Sequence, residues 1–380
     1  MKQKMFFVML ISTILSSLLA GCSRSLIPQP LTPVTLPSGL VIESGAVTRL
    51  DAKLSQMTAD GTFTGSVLIA VEGKTLLNKG YGLADRLQKI PNTPQTRFHL
   101  GSTTKSFTAM GILILQSQGK LSVQDPICKY ITECPLEWQG ITIHHLLTHT
   151  SGLSAQLSDQ LYREIEQGAS APLTPAQLAH YLGLTSPWSI DSPLGEQYSY
   201  NNFGYILLAY IIEVVSGQSY GDYLDQAIFI PLNMRNSGYP DSTSGLAKLY
   251  ANANTKTEWQ IATPPVSEGS GNLYSSAEDL LLLDQALYTD QLLPQVELDR
   301  MFGPYSKEMV YGFDYGYGWV SGKFRGQQFV AGAGGGAGSP FGTMIVRFTQ
   351  DRLTIIVLAN QNIDQIYFLG LISDELFGKK

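Results

Sequence analysis

Ser102-Thr103-Thr104-Lys105 lies within Phe98-His-Leu-Gly-Ser-Thr-Thr-Lys-Ser-Phe-Thr-Ala109, at the start of an apolar stretch that reads as a helix. A serine hydroxyl is a poor nucleophile until a base takes its proton. A lysine three residues later on a helix lies one turn away on the same face, within reach of that proton. To act as the base it must be neutral part of the time, and burial lowers a lysine pKa in that direction. The helix start adds its dipole and unpaired backbone N–H groups, which favour developing negative charge. Ser102 can serve as an N-cap at the same time. The Ser-x-x-Lys pattern recurs by chance in chains of this size, and Ser117-Gln118-Gly119-Lys120 is a second match. That one falls where the helix stops, with Gly119 in the C-cap role, so its serine and lysine need not share a face.

The elements that position these residues follow from periodicity. Val47, Leu50, Leu54 and Met57 fit a helical stripe. Two strands, Gly65–Val71 and Thr75–Gly82, follow it with a turn at Glu72-Gly73. The middle of the chain, to about Ala262, reads as helical and rich in loops. Strands return at Gly316–Val320, Gln327–Ala331, Gly342–Phe348 and Leu353–Ala359, and Asp364–Phe377 closes as a helix. Periodicity alone supports a chain of mixed α and β.

Further segments follow in order. Ile141-Thr-Ile-His-His-Leu-Leu-Thr-His-Thr-Ser-Gly-Leu153 is followed by Pro193-Leu-Gly-Glu-Gln-Tyr-Ser-Tyr-Asn-Asn-Phe-Gly-Tyr205 and an apolar helix. Then come Ser276-Ala-Glu-Asp279, Tyr315-Gly-Tyr-Gly-Trp319, the glycine-rich stretch Gly332–Gly338 and the strand Leu353–Asn360. From about Val47 onward this series resembles the serine β-lactamase and penicillin-binding protein superfamily. The nearest branch is that of class C β-lactamases, D-Ala-D-Ala carboxypeptidases and related esterases. The resemblance implies an α/β (α+β) fold of the β-lactamase/transpeptidase type, an antiparallel sheet flanked by helices plus a mostly helical subdomain. The sheet part would take about residues 46–97 and 263–380, and the helical part about 98–262.

The same resemblance assigns roles. Ser102 would be the acylated nucleophile and Lys105 the base. Tyr200 of Tyr200-Asn201-Asn202 would shuttle a proton between nucleophile and leaving group, and Asn202 would donate to the carbonyl side of the substrate. A second Tyr-x-Asn, Tyr250-Ala251-Asn252, stands in a polar loop and reads as incidental. The third motif departs from the family pattern of Lys-Thr-Gly or His-x-Gly. Gly335 and Gly338 fit the two glycines, but Ala333 holds the basic position and Gly334 the hydroxyl position. No histidine follows His180 to restore a cation. An oxyanion hole from the N–H groups of Ser102 and Gly336, beside Gly335, needs no side chain. Recognition of a substrate carboxylate loses a charge-assisted contact of about 1.5–3 kcal/mol. His144, His145 and His149 cluster, yet the family pattern makes their segment a helix end and loop beneath the site, not a metal centre. The alternating aromatics from Tyr311 to Trp319 read mainly as sheet-face packing.

The N-terminus speaks to location. Lys2 and Lys4 precede an apolar run from Met5 to Leu19, too short for an ordinary transmembrane helix. It ends in Leu19-Ala20-Gly21-Cys22, which resembles a lipobox. Residues 1–21 then read as a lipoprotein signal peptide and Cys22 as the lipidated residue. Residues 22–45 read as a flexible tether, and Ser23 favours the outer membrane. Cys128 and Cys134, with five residues between them and a proline beside them, can close a small disulfide loop in an oxidising periplasm. No matching cysteine pair or histidine spacing supports zinc, and no motif calls for a cofactor.

About 335 residues remain for one large domain. The net charge of −6 argues against nucleic acid as a partner. The expectation is a lipid-anchored periplasmic serine hydrolase working through an acyl-enzyme on an ester, amide or cell-wall-type peptide, with esters favoured because of Ala333. A D-Ala-D-Ala carboxypeptidase or weak class C-like β-lactamase stands second, and a non-catalytic penicillin-binding-like sensor third. The residues leave the oligomeric state open.

Overall fold

A computed structural model describes residues 33–132, 134–154, 190–239, 245–250, 258, 268–310, 312–335 and 339–378. Cys22, His180, Asn252 and Gly336 lie outside the described residues. The short strands β1 (Val34–Thr35) and β2 (Val41–Ile42) pair and lead into helix α1 (Ala46–Ala59). The hairpin β3 (Gly65–Val71) and β4 (Lys74–Tyr81) follows, then the ribbon β5 (Leu83–Asp85) and β6 (Ile90–Pro91). β7 (Phe98–His99) pairs with the distant β8 (Tyr274–Ser275). Between them run α2 (Thr104–Ser117), α3 (Ile143–Leu147), α4 (Asn202–Ser216) and α5 (Tyr220–Leu224). After β8 come α6 (Ala277–Ala286) and α7 (Gln295–Met301). The chain then adds β9 (Ser306–Val310), β10 (Phe313–Tyr315), β11 (Val320–Phe324), β12 (Gln327–Gly335), β13 (Gly342–Phe348) and β14 (Leu353–Ala359). Helix α8 (Gln365–Phe377) closes the order, capped by the Asp364 carboxylate, which accepts from Tyr367 N.

One eight-stranded antiparallel sheet dominates, in the order β4-β3-β14-β13-β12-β11-β10-β9. Its strands come from both ends of the domain, with the helices α2 to α5 inserted between, as the resemblance implies. Both faces are covered, so the central strands β3, β13 and β14 are buried throughout instead of alternating with polar residues. Val67, Ile69, Met344, Val346, Ile355 and Val357 pack with α1 and α8. Leu68, Ile345, Ile356 and Leu358, one residue out of step, pack with α2, α4 and α6. The period of two assigns every strand residue to one face or the other.

The strand expected at Gly316–Val320 is a turn. β10 ends at Tyr315 and β11 begins at Val320, with Gly318 at φ +74° between them. The alternating aromatics imitate a strand, but Tyr317 and Trp319 are buried in the core from within the turn. Gly318 sits there because a side chain would come 2.5 Å from the Lys105 carbonyl oxygen. Arg347, which pairs across from Val330, is equally committed. It is 1% exposed, ion-paired to Asp284 at 2.6 Å and stacked 4.5 Å over Tyr288. Thr354 donates to the same carboxylate at 2.6 Å. Removing either charge would strand the other in the core.

Candidate active site

α2 is the central helix: Thr104 through Leu115 are all buried. Gly111 lets α4 and α5 approach it, since a methyl there would lie 3.1–3.3 Å from Ile212, Leu224 and Tyr223. Ser102 precedes the helix in a 3-10 turn, Gly101–Thr103, and does not cap it. The expected N-cap role is therefore absent: Thr103 occupies that position with helical φ and ψ, and no side chain caps the first turn. Ser117 ends the helix, its hydroxyl donating to the Ile114 carbonyl. Gly119 follows at φ +69°.

Ser102, Lys105, Tyr200 and Asn202 meet at one point. The Tyr200 hydroxyl donates to Ser102 Oγ at 2.7 Å. Lys105 Nζ stands 3.3 Å from Ser102 Oγ, 2.7 Å from Asn202 Oδ1 and 2.8 Å from the Ser270 carbonyl. Asn202 is the first residue of α4, fixed by the Asn201 side chain, which accepts from Phe203 N. Lys105 is 1% exposed, and burial holds its ammonium pKa well below the ordinary value. A neutral amine has two N–H bonds and one lone pair. In that neutral form the two shorter contacts take the N–H bonds and the lone pair is left for Ser102. Tyr250, in the second Tyr-x-Asn match, lies elsewhere and accepts from Arg86 N.

The base of the site is aromatic. His149, at φ +58° and 1% exposed, lies 4.5 Å from the Tyr200 ring, with Tyr205 and Tyr315 at 5.1 and 5.0 Å. Its Nδ1 accepts from Asn201 N at 3.1 Å, which places the proton on Nε2. Nε2 has no hydrogen-bond partner among the described residues. Burial holds the imidazole pKa well below the ordinary value and keeps the ring neutral. The other two histidines are structural. His145 closes a capping box with Thr142, and His144 bonds the Tyr317 hydroxyl at 2.7 Å.

β12 forms the opposite wall. β11 pairs with it only as far as Ala331, so Gly332–Gly335 run past the Ser102 turn with one edge unpaired. Their facing corrects the sequence reading. Ala333 pairs with Met344, which packs with α1 and α8, so its side chain points away from Ser102. Gly332 and Gly334 face the α2 side, against Ser106 and the Leu100 backbone. A methyl on Gly334 would lie 1.9 Å from the Leu100 carbonyl oxygen, and one on Gly332 would lie 3.3 Å from Thr103 Cγ2. Motif matching by glycine spacing cannot see this, because a shift of one residue inverts every face. A methyl on Gly101 would lie 3.1 Å from Gly335 N, which puts that amide beside the Ser102 turn. Cys128 and Cys134 are joined in a disulfide, with Cα atoms 5.3 Å apart.

Sequence reasoning did not find the Ser270 carbonyl, because a backbone acceptor leaves no residue signature. It put the His149 segment beneath the site but gave the ring no role of its own, because its left-handed conformation and aromatic bed arise only in three dimensions.

Comparison with known proteins places this geometry. A family model described as Beta-lactamase matches residues 50–366. The chain is 30% identical over 330 residues to Penicillin-binding protein 4* of Bacillus subtilis (strain 168), covering 80% of this chain and 70% of that protein. It is 28% identical over 304 residues to Teichoic acid D-alanine hydrolase of Staphylococcus aureus, covering 73% and 69%. The solved octameric penicillin-binding protein homologue from Pyrococcus abyssi superposes with a TM-score of 0.74 at 28% identity, covering 87% and 79%.

Proposed function

The chain belongs to the beta-lactamase family of serine hydrolases, and within it we propose a lipid-anchored periplasmic enzyme that cleaves esters through a Ser102 acyl-enzyme. The convergence of Lys105 and Tyr200 on Ser102 Oγ carries the reading, since a neutral Lys105 that donates to Asn202 and Ser270 has its lone pair left for Ser102. Lys105 takes the Ser102 proton as Oγ bonds to the substrate carbonyl carbon. The resulting oxyanion is held by the N–H groups of Ser102 and Gly336, beside Gly335, where a preorganised donor is worth about 10²–10³ in rate. Tyr200 donates its proton to the departing alkoxide, and Asn202, its oxygen occupied by Lys105, donates through its amide to the acyl side. Water then attacks the ester carbonyl by the same route in reverse.

Preference for a neutral acyl group follows from β12. No position facing Ser102 on that strand carries a cation, and Arg347 is bound to Asp284. The relative named Teichoic acid D-alanine hydrolase supports small acyl substrates. The one named Penicillin-binding protein 4* favours the second reading, a cell-wall peptide amide. The anchor rests on Leu19-Ala20-Gly21-Cys22.

Pure wild type should hydrolyse p-nitrophenyl butyrate and take a fluorescent phosphonate on Ser102, with far slower turnover of penicillins. Rapid penicillin hydrolysis would defeat the ester preference. Cys22→Ala should move the protein out of the membrane fraction with its ester activity intact, and membrane retention of that variant would defeat the anchor.

A further inference from the structure

Tyr200 keeps its hydroxyl 2.7 Å from Ser102 Oγ on a side chain that is 40% exposed. It stands in residues 197–201, which form no helix or strand, just ahead of α4. A phenol turns about two side-chain bonds, so the backbone on either side and the bed under the ring have to fix it. One residue supplies all three. The His149 carbonyl accepts from Ser199 N at 2.8 Å, its Nδ1 accepts from Asn201 N at 3.1 Å, and its ring lies 4.5 Å from the Tyr200 ring. We propose that His149 is a positioning residue for Tyr200, holding the phenol on Ser102 by gripping the residues before and after it. The inference rests on the acyl-enzyme reading above.

His149 does this from a left-handed backbone, φ +58°, a conformation that persists only where the surroundings impose it. Those surroundings are in place. His149 N donates to the Leu146 carbonyl at 3.3 Å, and the Thr148 and Thr150 hydroxyls on either side bond each other at 2.8 Å. The Tyr205 and Tyr315 rings, at 5.1 and 5.0 Å, enclose the imidazole. Nδ1 is an acceptor only in a neutral ring, the state that burial maintains. At the gripped end, the Asn201 amide donates to the Leu153 and Ser154 carbonyls at 3.0 and 3.2 Å. The grip therefore joins two fixed points, and Tyr200 is the side chain between them.

Ethyl butyrate and p-nitrophenyl butyrate separate positioning from packing, because only the ethoxide needs a proton to leave. The quantity read is kcat/KM, which reports acylation and not the deacylation step the two esters share. His149→Gly keeps the left-handed backbone and removes both the ring and the acceptor. It should lose roughly ten- to hundredfold on ethyl butyrate and less than about threefold on p-nitrophenyl butyrate. His149→Asn also tolerates the backbone and sets Oδ1 near the place of Nδ1, so it should recover part of the ethyl butyrate loss. In a Tyr200→Phe background, His149→Gly should change ethyl butyrate cleavage less than about twofold, because the group it positions is gone. Unchanged ethyl butyrate cleavage, equal losses on the two esters, no recovery in His149→Asn, or a full loss on top of Tyr200→Phe each overturns the proposal. So does a His149→Gly protein without a thermal transition, which would assign the residue to the fold. Those results leave the acyl-enzyme reading in place. Wild type that neither labels at Ser102 nor cleaves either ester sinks both.

Discussion

Tyr200 donates to Ser102 Oγ across 2.7 Å from a side chain that is 40% exposed, whereas Lys105 approaches the same oxygen from a position that is 1% exposed. The two partners of one nucleophile therefore sit on opposite sides of the solvent boundary. A buried amine suits proton removal, and a phenol at the mouth suits delivery to a leaving group that departs into water. Tyr200→Phe should slow release of a poor alkoxide leaving group by about 10²–10³, and of p-nitrophenol, which needs no proton, by much less. Equal losses on an alkyl and a p-nitrophenyl ester would remove Tyr200 from that role. Ser102→Ala should abolish labelling while barely moving the thermal midpoint, and Ser117→Ala should do neither.

Lys105 makes activity depend on pH with a definite sign. Its neutral form is the base, and burial brings its pKa down, so acylation should rise with pH through that lowered value and then level off. Stability shares the direction. Between the lowered pKa and the ordinary value the unfolded chain binds the proton and the folded chain does not, so folding strengthens as pH rises. Lys105→Met should cost about 10²–10⁴ in kcat/KM without lowering the midpoint at neutral pH. A large loss of stability at neutral pH would mean the amine is charged and paired.

The buried histidines predict weakness in acid. His99 is pushed down to about 4 by burial and by Lys248, and His149 is lowered by burial and by Lys105. Below about 6.5 the unfolded imidazoles take up protons that the folded ones refuse, so stability falls as pH drops. For His99 alone the loss by pH 4 is on the order of 3 kcal/mol. His149→Asn keeps a side chain that tolerates φ +58° but removes the ring under Tyr200. It should flatten part of the acid loss in denaturant melts and lower kcat severalfold. An unaltered acid profile would show that His149 is not among the groups that titrate.

Neighbouring positions on β12 should respond in opposite ways. Gly334→Ala forces a methyl to within 1.9 Å of the Leu100 carbonyl oxygen, so it should abolish activity and lower the thermal midpoint. Ala333→Lys places its chain on the exposed far side of the sheet. Ester turnover should then stay within about twofold of wild type, and reaction with penicillins should not improve. A tenfold gain with penicillins would show that Ala333 faces the nucleophile after all.

Much of the site was legible because acyl transfer dictates side-chain types at fixed helical spacing, as at Ser102 and Lys105. The strands β3, β13 and β14 were legible to the residue because they are continuous apolar runs between turn signals. The facing of Ala333 was not, since it depends on which residue of β13 stands opposite. The ion pair that holds Arg347 leaves no local signal either, because its partner Asp284 is 63 residues away. Gly316–Val320 misled because aromatic alternation is shared by a strand and by a turn that buries its rings.

The pairing of β3 with β14, Val67 against Val357, has a consequence for how the molecule comes into being. The strand that precedes Ser102 waits for a partner from the far end of the domain, so contact order is high and closure is late. Gly335, at the end of the strand facing the Ser102 turn, lies on β12, separated from β3 by both β13 and β14. A nascent chain that already carries Ser102, Lys105, Tyr200 and Asn202 still lacks the wall that receives the oxyanion. Its nucleophile stays silent until the last strands are made.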